Sequence, residues 1–310
     1  MYNQSIKERY INEKESTTFT PEGYLPRLFN KTEEFESRYG KDVSSFTVYE
    51  IIDFYKTMNV SSLESLNVIN SHLTLYVDWC LKQNMVDDCQ NHFTELNNDM
   101  LFKCINKAAI NKSIITKDTL YNWFTIIPNA SDAFIMIALF EGIKGKEFCE
   151  IANLKYEDFD LERKTVMLCT GRELTVSDKL IKIAKESFDS TDYYPVGGTT
   201  ERKMPLLNEP YIVKNYPNCQ VDISDFHKGR RIYRKLLRNF EFLGVAEWMK
   251  PNSLTESGKI DYINRRSEEL SISGKDFIYS DYAKEIEDRY GYDMKRLRVS
   301  YIRKFGEHLV

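Results

Sequence analysis

Leu63, Leu66, Ile69, Leu73, Tyr76, Val77 and Cys80 recur at steps of three and four residues. That spacing returns side chains to one face of a helix, which then has an apolar stripe to bury and a polar side to leave in water. Ser61 or Ser62, with Glu64 or Ser65 after it, supplies a start signal. A shorter stripe of the same kind runs from Phe46 to Met58, and only helical signals appear between Lys31 and Lys107. An amphipathic helix must bury its stripe against a neighbour. Residues 26–107 are therefore predicted to form a small domain of four or five helices.

The flanking segments read differently. Residues 1–25 are polar and contain "TPEGYLPR", with two prolines and a glycine, which predicts a loosely structured lead-in. "KAAINKSIITKD", Lys107 to Asp118, reads as the connection, with the linker at 108–117 and a second domain over 118–310. Asp118 is placed to cap a helix carrying Leu120, Trp123 and Phe124. Pro128 to Ser131 breaks that helix, and Ala133 to Phe140 reads as a buried one. This is the longest unbroken apolar stretch and is far too short to cross a bilayer. Thr165 to Cys169 and Glu173 to Val176 are strand-like runs around "TGR", a hairpin signal. Tyr211 to Val213 reads as a further strand. After Asp225 the pattern is helical, with breaks at Pro251 and Gly274. The predicted class is mostly α, in two domains, with a small β-sheet in the second.

Six cysteines, at 80, 89, 104, 149, 169 and 219, form no CxxC pair and read as reduced thiols in a cytoplasmic protein. The polar N-terminus carries no secretory signal. "GIKGKE" lacks the spacing of a phosphate loop. "CQNH", Cys89 to His92, has no second ligand pair for zinc. No metal site and no cofactor is expected.

The net charge of −4 disfavours nucleic acid only weakly, because a binding face needs local positive charge. "HKGRRIYRKLLR", His227 to Arg238, holds six Lys or Arg among twelve residues and no acid. On a helix Arg231, Lys235 and Arg238 share one face, Arg230 and Arg234 flank it, and Ile232, Leu236 and Phe240 form an opposite apolar stripe. A charge run is usually a solvated face, but solvated faces mix signs. This run is read as a phosphate-contacting face that also includes Lys228. "KRLRVSYIRK", Lys295 to Lys304, has five cations among ten residues and adds Arg296 and Arg298. Lys250, ahead of Pro251, is a further candidate.

"KGKEFCEIANLKYEDFD", within Leu139 to Asp160, resembles the segment of the tyrosine recombinase, or phage integrase, family that reads T-G-L-R-x-x-E-L-x-x-L-x-W-x-D-I-D. Gly145, Glu150, Leu154, Asp158 and Asp160 match it, and Tyr156 stands for the tryptophan. Glu147 then occupies the catalytic arginine position. A register one turn earlier puts Lys144 there instead. "VMLCTGRELTV" resembles the next hairpin, whose turn carries a catalytic lysine, and Arg172 is nearest that position. "KPNSLTESG" resembles the H-x-L-R motif, with Asn252 for the histidine and Thr255 for the second arginine. Gly291 matches a G-H motif in which Tyr292 replaces the histidine, and Tyr301 falls at the spacing of the nucleophile.

The resemblance covers roughly Lys31 to Val310. It implies an N-terminal helical core-binding domain and a C-terminal catalytic-type domain that together clamp duplex DNA. It places Lys144, Lys146 and Arg172 near the DNA backbone. It also implies lost chemistry. Two arginines normally stabilise the charge on the attacked phosphate, and losing one such donor costs ~10²- to 10³-fold in rate. No strand exchange is expected from a chain with Lys144 or Glu147, Asn252, Thr255 and Tyr292 at those positions. The expected product is a sequence-specific binder of phage operator DNA in the host cytoplasm, a repressor maintaining lysogeny, with a regulatory phage protein as a further partner. The alternatives are a recombinase with substituted residues, or an accessory partner of an integrase.

Overall fold

The computed structural model describes residues 1–15, 23–86, 90–196, 203–217 and 224–310. They form two compact units, Met1–Ile110 and Asn111–Val310.

The first unit contains α1 (Gln4–Glu15), α2 (Tyr24–Tyr39), α3 (Val48–Thr57), α4 (Leu63–Lys82) and α5 (Asn98–Lys103). The stripe on α4 is buried as its spacing predicts, through Leu66, Leu73, Tyr76, Val77 and Cys80. Ser62 is its cap, accepting from the Ser65 amide. Thr47 and Glu50 form a reciprocal capping box at the start of α3, which buries Ile51, Phe54 and Tyr55. The loosely structured lead-in is corrected. Helix α1 packs into this core, with Tyr10 and Ile11 buried and the Tyr10 ring edge-on to Tyr76 and Trp79. Lys7 is buried too, and its charge is compensated by an ion pair with buried Glu36. The remainder of the lead-in at 16–22 lies outside the described residues, as do Cys89 and Cys219.

Helix α6 (Lys107–Ser113) spans the division between the units, where the sequence suggested an irregular linker. In the second unit α7 (Lys117–Phe124) is capped by Thr116 rather than Asp118, which lies within its first turn. Helix α8 (Ala130–Phe140) is buried from Ser131 to its end, and α7, α10, α11 and α12 pack around it. After α9 (Cys149–Ala152) come β1 (Phe159–Asp160), β2 (Thr165–Met167) and β3 (Glu173–Thr175), an antiparallel sheet in that order. Val166 is paired with Phe159 on one side and Leu174 on the other, which gives the sheet its apolar face. Gly171, at φ 83°, makes the hairpin turn that "TGR" predicted.

Helix α10 (Asp178–Asp189) packs on α8, and β4 (Asp192–Tyr193) pairs with β5 (Met204–Pro205). Tyr211 to Val213 forms no strand. It makes one isolated bridge, Lys155 to Tyr211, and the Ile212 amide donates to the Leu154 carbonyl. The remaining helices are α11 (Asp225–Phe242), α12 (Pro251–Leu270), α13 (Gly274–Tyr279), α14 (Ala283–Tyr290) and α15 (Met294–Phe305). Pro251 and Gly274 open helices, so the predicted breaks fall in place. Helices α11 and α12 both pack on α8, which brings the basic run and the "KPNSLTESG" segment around one core helix.

Candidate functional site

The chain leaves α8 through a tight segment. Gly142 and Gly145 have φ of 94° and 65°, and Glu147 and Phe148 are also left-handed, at 53° and 64°. Helix α9 then opens with Glu150 buried in its first turn. The Glu150 carboxylate accepts from the Lys144 amide at 2.9 Å, from the Thr170 hydroxyl, and from Arg172 Nε and Nη2 at 2.9 and 2.6 Å. Burial alone would raise its pKa, but Arg172, Thr170 and the Lys144 amide outweigh that and hold it below the ordinary carboxylate value. Glu150 thus takes the place of the motif's glutamate at a helix start. This favours the register with Glu147 at the arginine position.

Arg172 is corrected as a DNA-contacting candidate. Besides Glu150, its Nη1 donates to the carbonyls of Asp288 and Arg289 at 3.2 and 2.7 Å, and its Nη2 to that of Gly142 at 3.0 Å. All five guanidinium donors are directed at protein acceptors. The residue ties the hairpin turn to α9 and to the end of α14.

The other substituted positions converge on α12. Lys144 Nζ donates to Asn252 Oδ1 at 2.8 Å. One and two turns further along α12, Thr255 is buried, and Lys259 Nζ lies 2.9 Å from Glu256 and 3.7 Å from the centre of the Tyr292 ring. The Tyr292 and Tyr301 rings meet edge to face at 5.7 Å. Tyr301 is 2% exposed, and its hydroxyl has no hydrogen-bond partner among the described residues. Burial first, then Glu256, Tyr292 and Tyr290, push that hydroxyl well above the ordinary tyrosine value. The Thr255 hydroxyl likewise has no partner among the described residues. Burial lowers the ammonium pKa of both Lys144 and Lys259. The arrangement holds a protonated tyrosine beside a lysine–glutamate pair. Lys259 and Glu256 were missed in the sequence. The available signal was that both follow Leu254 within a helix already placed at the site.

The basic helix α11 buries a wider arc than the sequence expectation. Ile232, Leu236 and Phe240 are buried as predicted. Lys235, however, is 8% exposed, 3.7 Å from buried Asp132 and 4.0 Å from the centre of the Tyr193 ring. It is corrected as a phosphate contact, because its charge compensates an acid inside the protein. Arg231 donates from Nη1 to Asn215 and is partly buried. Lys228 donates to Asn153 Oδ1 at 2.8 Å and lies beside Asp225. The residues facing solvent are Arg230, Arg234 and Arg238. Exposed Phe226 and Tyr233 are interleaved with the first two. Arg230 lies 5.7 Å from the Phe226 ring, and Tyr233 lies 6.4 Å from Phe148.

Gly229 lets α11 approach the tight segment. A Cβ there would stand 1.9 Å from the Glu147 carbonyl oxygen. Exposed Lys146 is thereby held beside α11. Lys144 Nζ, 6.0 Å from the Phe148 ring, continues the chain of contacts to Asn252. Lys250 is exposed and donates to the Ala246 carbonyl. Arg296 pairs with Asp293, the cap of its own helix, and Arg298 lies over the Tyr279 ring of α13.

A helical unit followed by a mostly helical unit with a small sheet is the plan of a recombinase-like protein with a core-binding and a catalytic-type domain. Family models match on both sides: "MrpR, N-terminal core-binding domain" over residues 1–82 and "MrpR, C-terminal catalytic domain" over residues 114–306. The chain belongs to the MrpR family. It is also similar to the SPbeta prophage-derived uncharacterized protein YopR of Bacillus subtilis (strain 168). The identity is 23% over 273 residues, covering 84% of this chain and 81% of that one. No helix among the described residues is long and apolar enough to cross a membrane.

Proposed function

We propose that this chain is a sequence-specific double-stranded DNA-binding protein, a phage transcriptional repressor maintaining lysogeny, built on a recombinase-like fold that no longer exchanges strands. It works in the host cytoplasm on operator sites of the phage. The observation that carries the reading is the solvent-facing set Lys146, Arg230 and Arg234. The two arginines are interleaved with aromatic side chains, and all three lie beside a site whose arginine positions hold Glu147 and Thr255. Cations of this kind contact phosphates and fix a protein's register on the duplex. With no guanidinium pair to stabilise an attacked phosphate, binding is what remains. The lysogeny assignment rests on resemblance. "LTESGKIDYINRR" and "AKEIEDRYGYDMKRLRVSYIRK" are similar to the SPβ-type Bacillus phage master lysogeny repressor.

The test is selection of bound fragments from a sheared phage genome, followed by mobility shift on those enriched. Recovery of a few discrete sites is expected. Uniform recovery of all fragments, or of none, overturns the reading.

A further inference from the structure

Two cysteines that are remote in sequence meet beside the tight segment. Cys149 is the first residue of α9, and Cys169 lies in the turn between β2 and β3. The Cys169 thiol donates to the Cys149 carbonyl oxygen, with Sγ 3.6 Å from it. Both are free, Cys169 is exposed, and Cys149 is partly buried. Cys80 and Cys104 contrast with them, being buried in the core of the first unit.

The position of the pair is informative. The Cys149 sulfur packs beneath the Gly145 backbone, where an added Cβ would stand 2.5 Å from it. Gly145 separates Lys144 from Lys146. Three positions after Cys169, Arg172 clasps Glu150, the neighbour of Cys149. The thiols therefore sit where two elements that position the candidate DNA face are already held together.

We propose that Cys149 and Cys169 form a reversible disulfide site that sets the position of the Lys144–Phe148 segment. The oxidant is a low-molecular-weight disulfide. A thiolate of the pair attacks one of its sulfurs, forming a mixed disulfide and expelling one small thiolate. The second cysteine then attacks the protein sulfur of that mixed disulfide and expels the other. Two electrons and two protons pass from the protein thiols to the small disulfide, which leaves as two small thiols. Burial first, and then the neighbouring Cys149, push the Cys169 thiol up to about 11, which makes the first exchange slow at neutral pH. The second step is intramolecular and fast. Closing the bridge swings the Cys149 sulfur away from Gly145 and toward the hairpin turn, so Lys144 and Lys146 shift with the backbone between them. The existence of the bridge stands on the geometry alone. Its effect on DNA rests on the function proposed above.

The full-length chain is incubated with oxidised glutathione at mildly alkaline pH, trapped with iodoacetamide, and mapped by peptide mass spectrometry without reduction. A peptide pair linked through Cys149 and Cys169 is expected. Dithiothreitol should abolish it, and it should be missing from Cys169→Ser. Cys169→Ser lies at an exposed turn and serves where Cys149→Ser fails to fold. Persistent separate glutathione adducts on the two cysteines, or linkage of either to Cys89 or Cys219, overturn the proposal. The oxidised chain should also bind an enriched phage fragment several-fold more weakly than the reduced chain, with recovery on reduction. Unchanged affinity in a fully bridged sample overturns the positional effect. Failure of even the reduced chain to bind any fragment counts against the proposed function, while the mass map still decides the bridge.

Discussion

Lys144 donates from Nζ to Asn252 Oδ1 at 2.8 Å, which ties the tight segment after α8 to the first turn of α12. Lys144 presents a point charge in place of a planar fork, and Asn252 cannot titrate. Tyr301 is buried, and its hydroxyl has no partner among the described residues.

No covalent protein–DNA adduct is therefore expected on a nicked suicide substrate resolved in a denaturing gel. Tyr301→Phe removes a hydroxyl whose burial without a partner costs ~1–3 kcal/mol. The variant should equal or exceed the parent in urea denaturation and bind DNA equally well. A Tyr301-dependent adduct would refute the loss of chemistry. A clear loss of stability would show that the hydroxyl is satisfied.

Arg172 and Glu150 should behave as a structural clasp. Removing one partner of a buried pair costs ~3–5 kcal/mol, so Arg172→Ala is expected to lower the urea midpoint sharply. Arg172→Lys should recover only part of it, because one ammonium cannot reach four acceptor groups. The folded carboxyl of Glu150 lies below its ordinary value of 4.5. Its stabilisation is complete above that value and is lost as pH falls through it toward the depressed one. The variant should show a shallower acid decline than the parent. Parallel declines would place the acid sensitivity elsewhere.

Much of this fold is legible in the sequence, because periodicity reports burial. The stripe on α4, the apolar run of α8 and the "TGR" turn each became the expected element. Helix α1 was not legible, since Tyr10 and Ile11 are scattered among charges and Lys7 is buried by pairing with Glu36, twenty-nine residues away. The site was legible in position but not in the extent of its burial. The stripe Ile232, Leu236 and Phe240 turns inward as its spacing predicts, but the buried arc is wider than the stripe and takes in Lys235 while Arg238 stays exposed. Asp132 was the missed signal. An acid inside an otherwise apolar helix needs a cation, and Lys235 supplies it. Arg172 was misread for a related reason: its partners are mostly backbone carbonyls, which leave no mark in a motif.

Gly229→Ala separates helix propensity from packing. In an open helix the change stabilises by ~1 kcal/mol. Here the new methyl would meet the Glu147 carbonyl oxygen at 1.9 Å, and backbone has little room to yield. Destabilisation of about 1–3 kcal/mol is expected, together with weaker DNA binding as Lys146 is pushed from α11. Stabilisation in thermal melts would mean that α11 and this segment are not in close contact.

The final prediction concerns which cations of α11 meet DNA. Arg230 and Arg234 face solvent, whereas Lys235 faces Asp132. Each phosphate contact releases condensed counterions, so removing one should reduce the slope of log K against log salt by about 0.9. Arg230→Gln with Arg234→Gln should leave the circular dichroism spectrum unchanged. It should weaken specific and non-specific binding together, because phosphate contacts carry no base information. The salt slope should flatten by about two units. Lys235→Gln should act differently, leaving Asp132 buried and uncompensated at a cost of ~3–5 kcal/mol in stability. Glu157→Gln with Glu162→Gln, on acid-rich surface, controls for net charge and should alter neither affinity nor slope. If the double arginine variant folds and keeps both the affinity and the slope of the parent, α11 presents a solvated face, and the DNA-binding reading loses the observation that carries it.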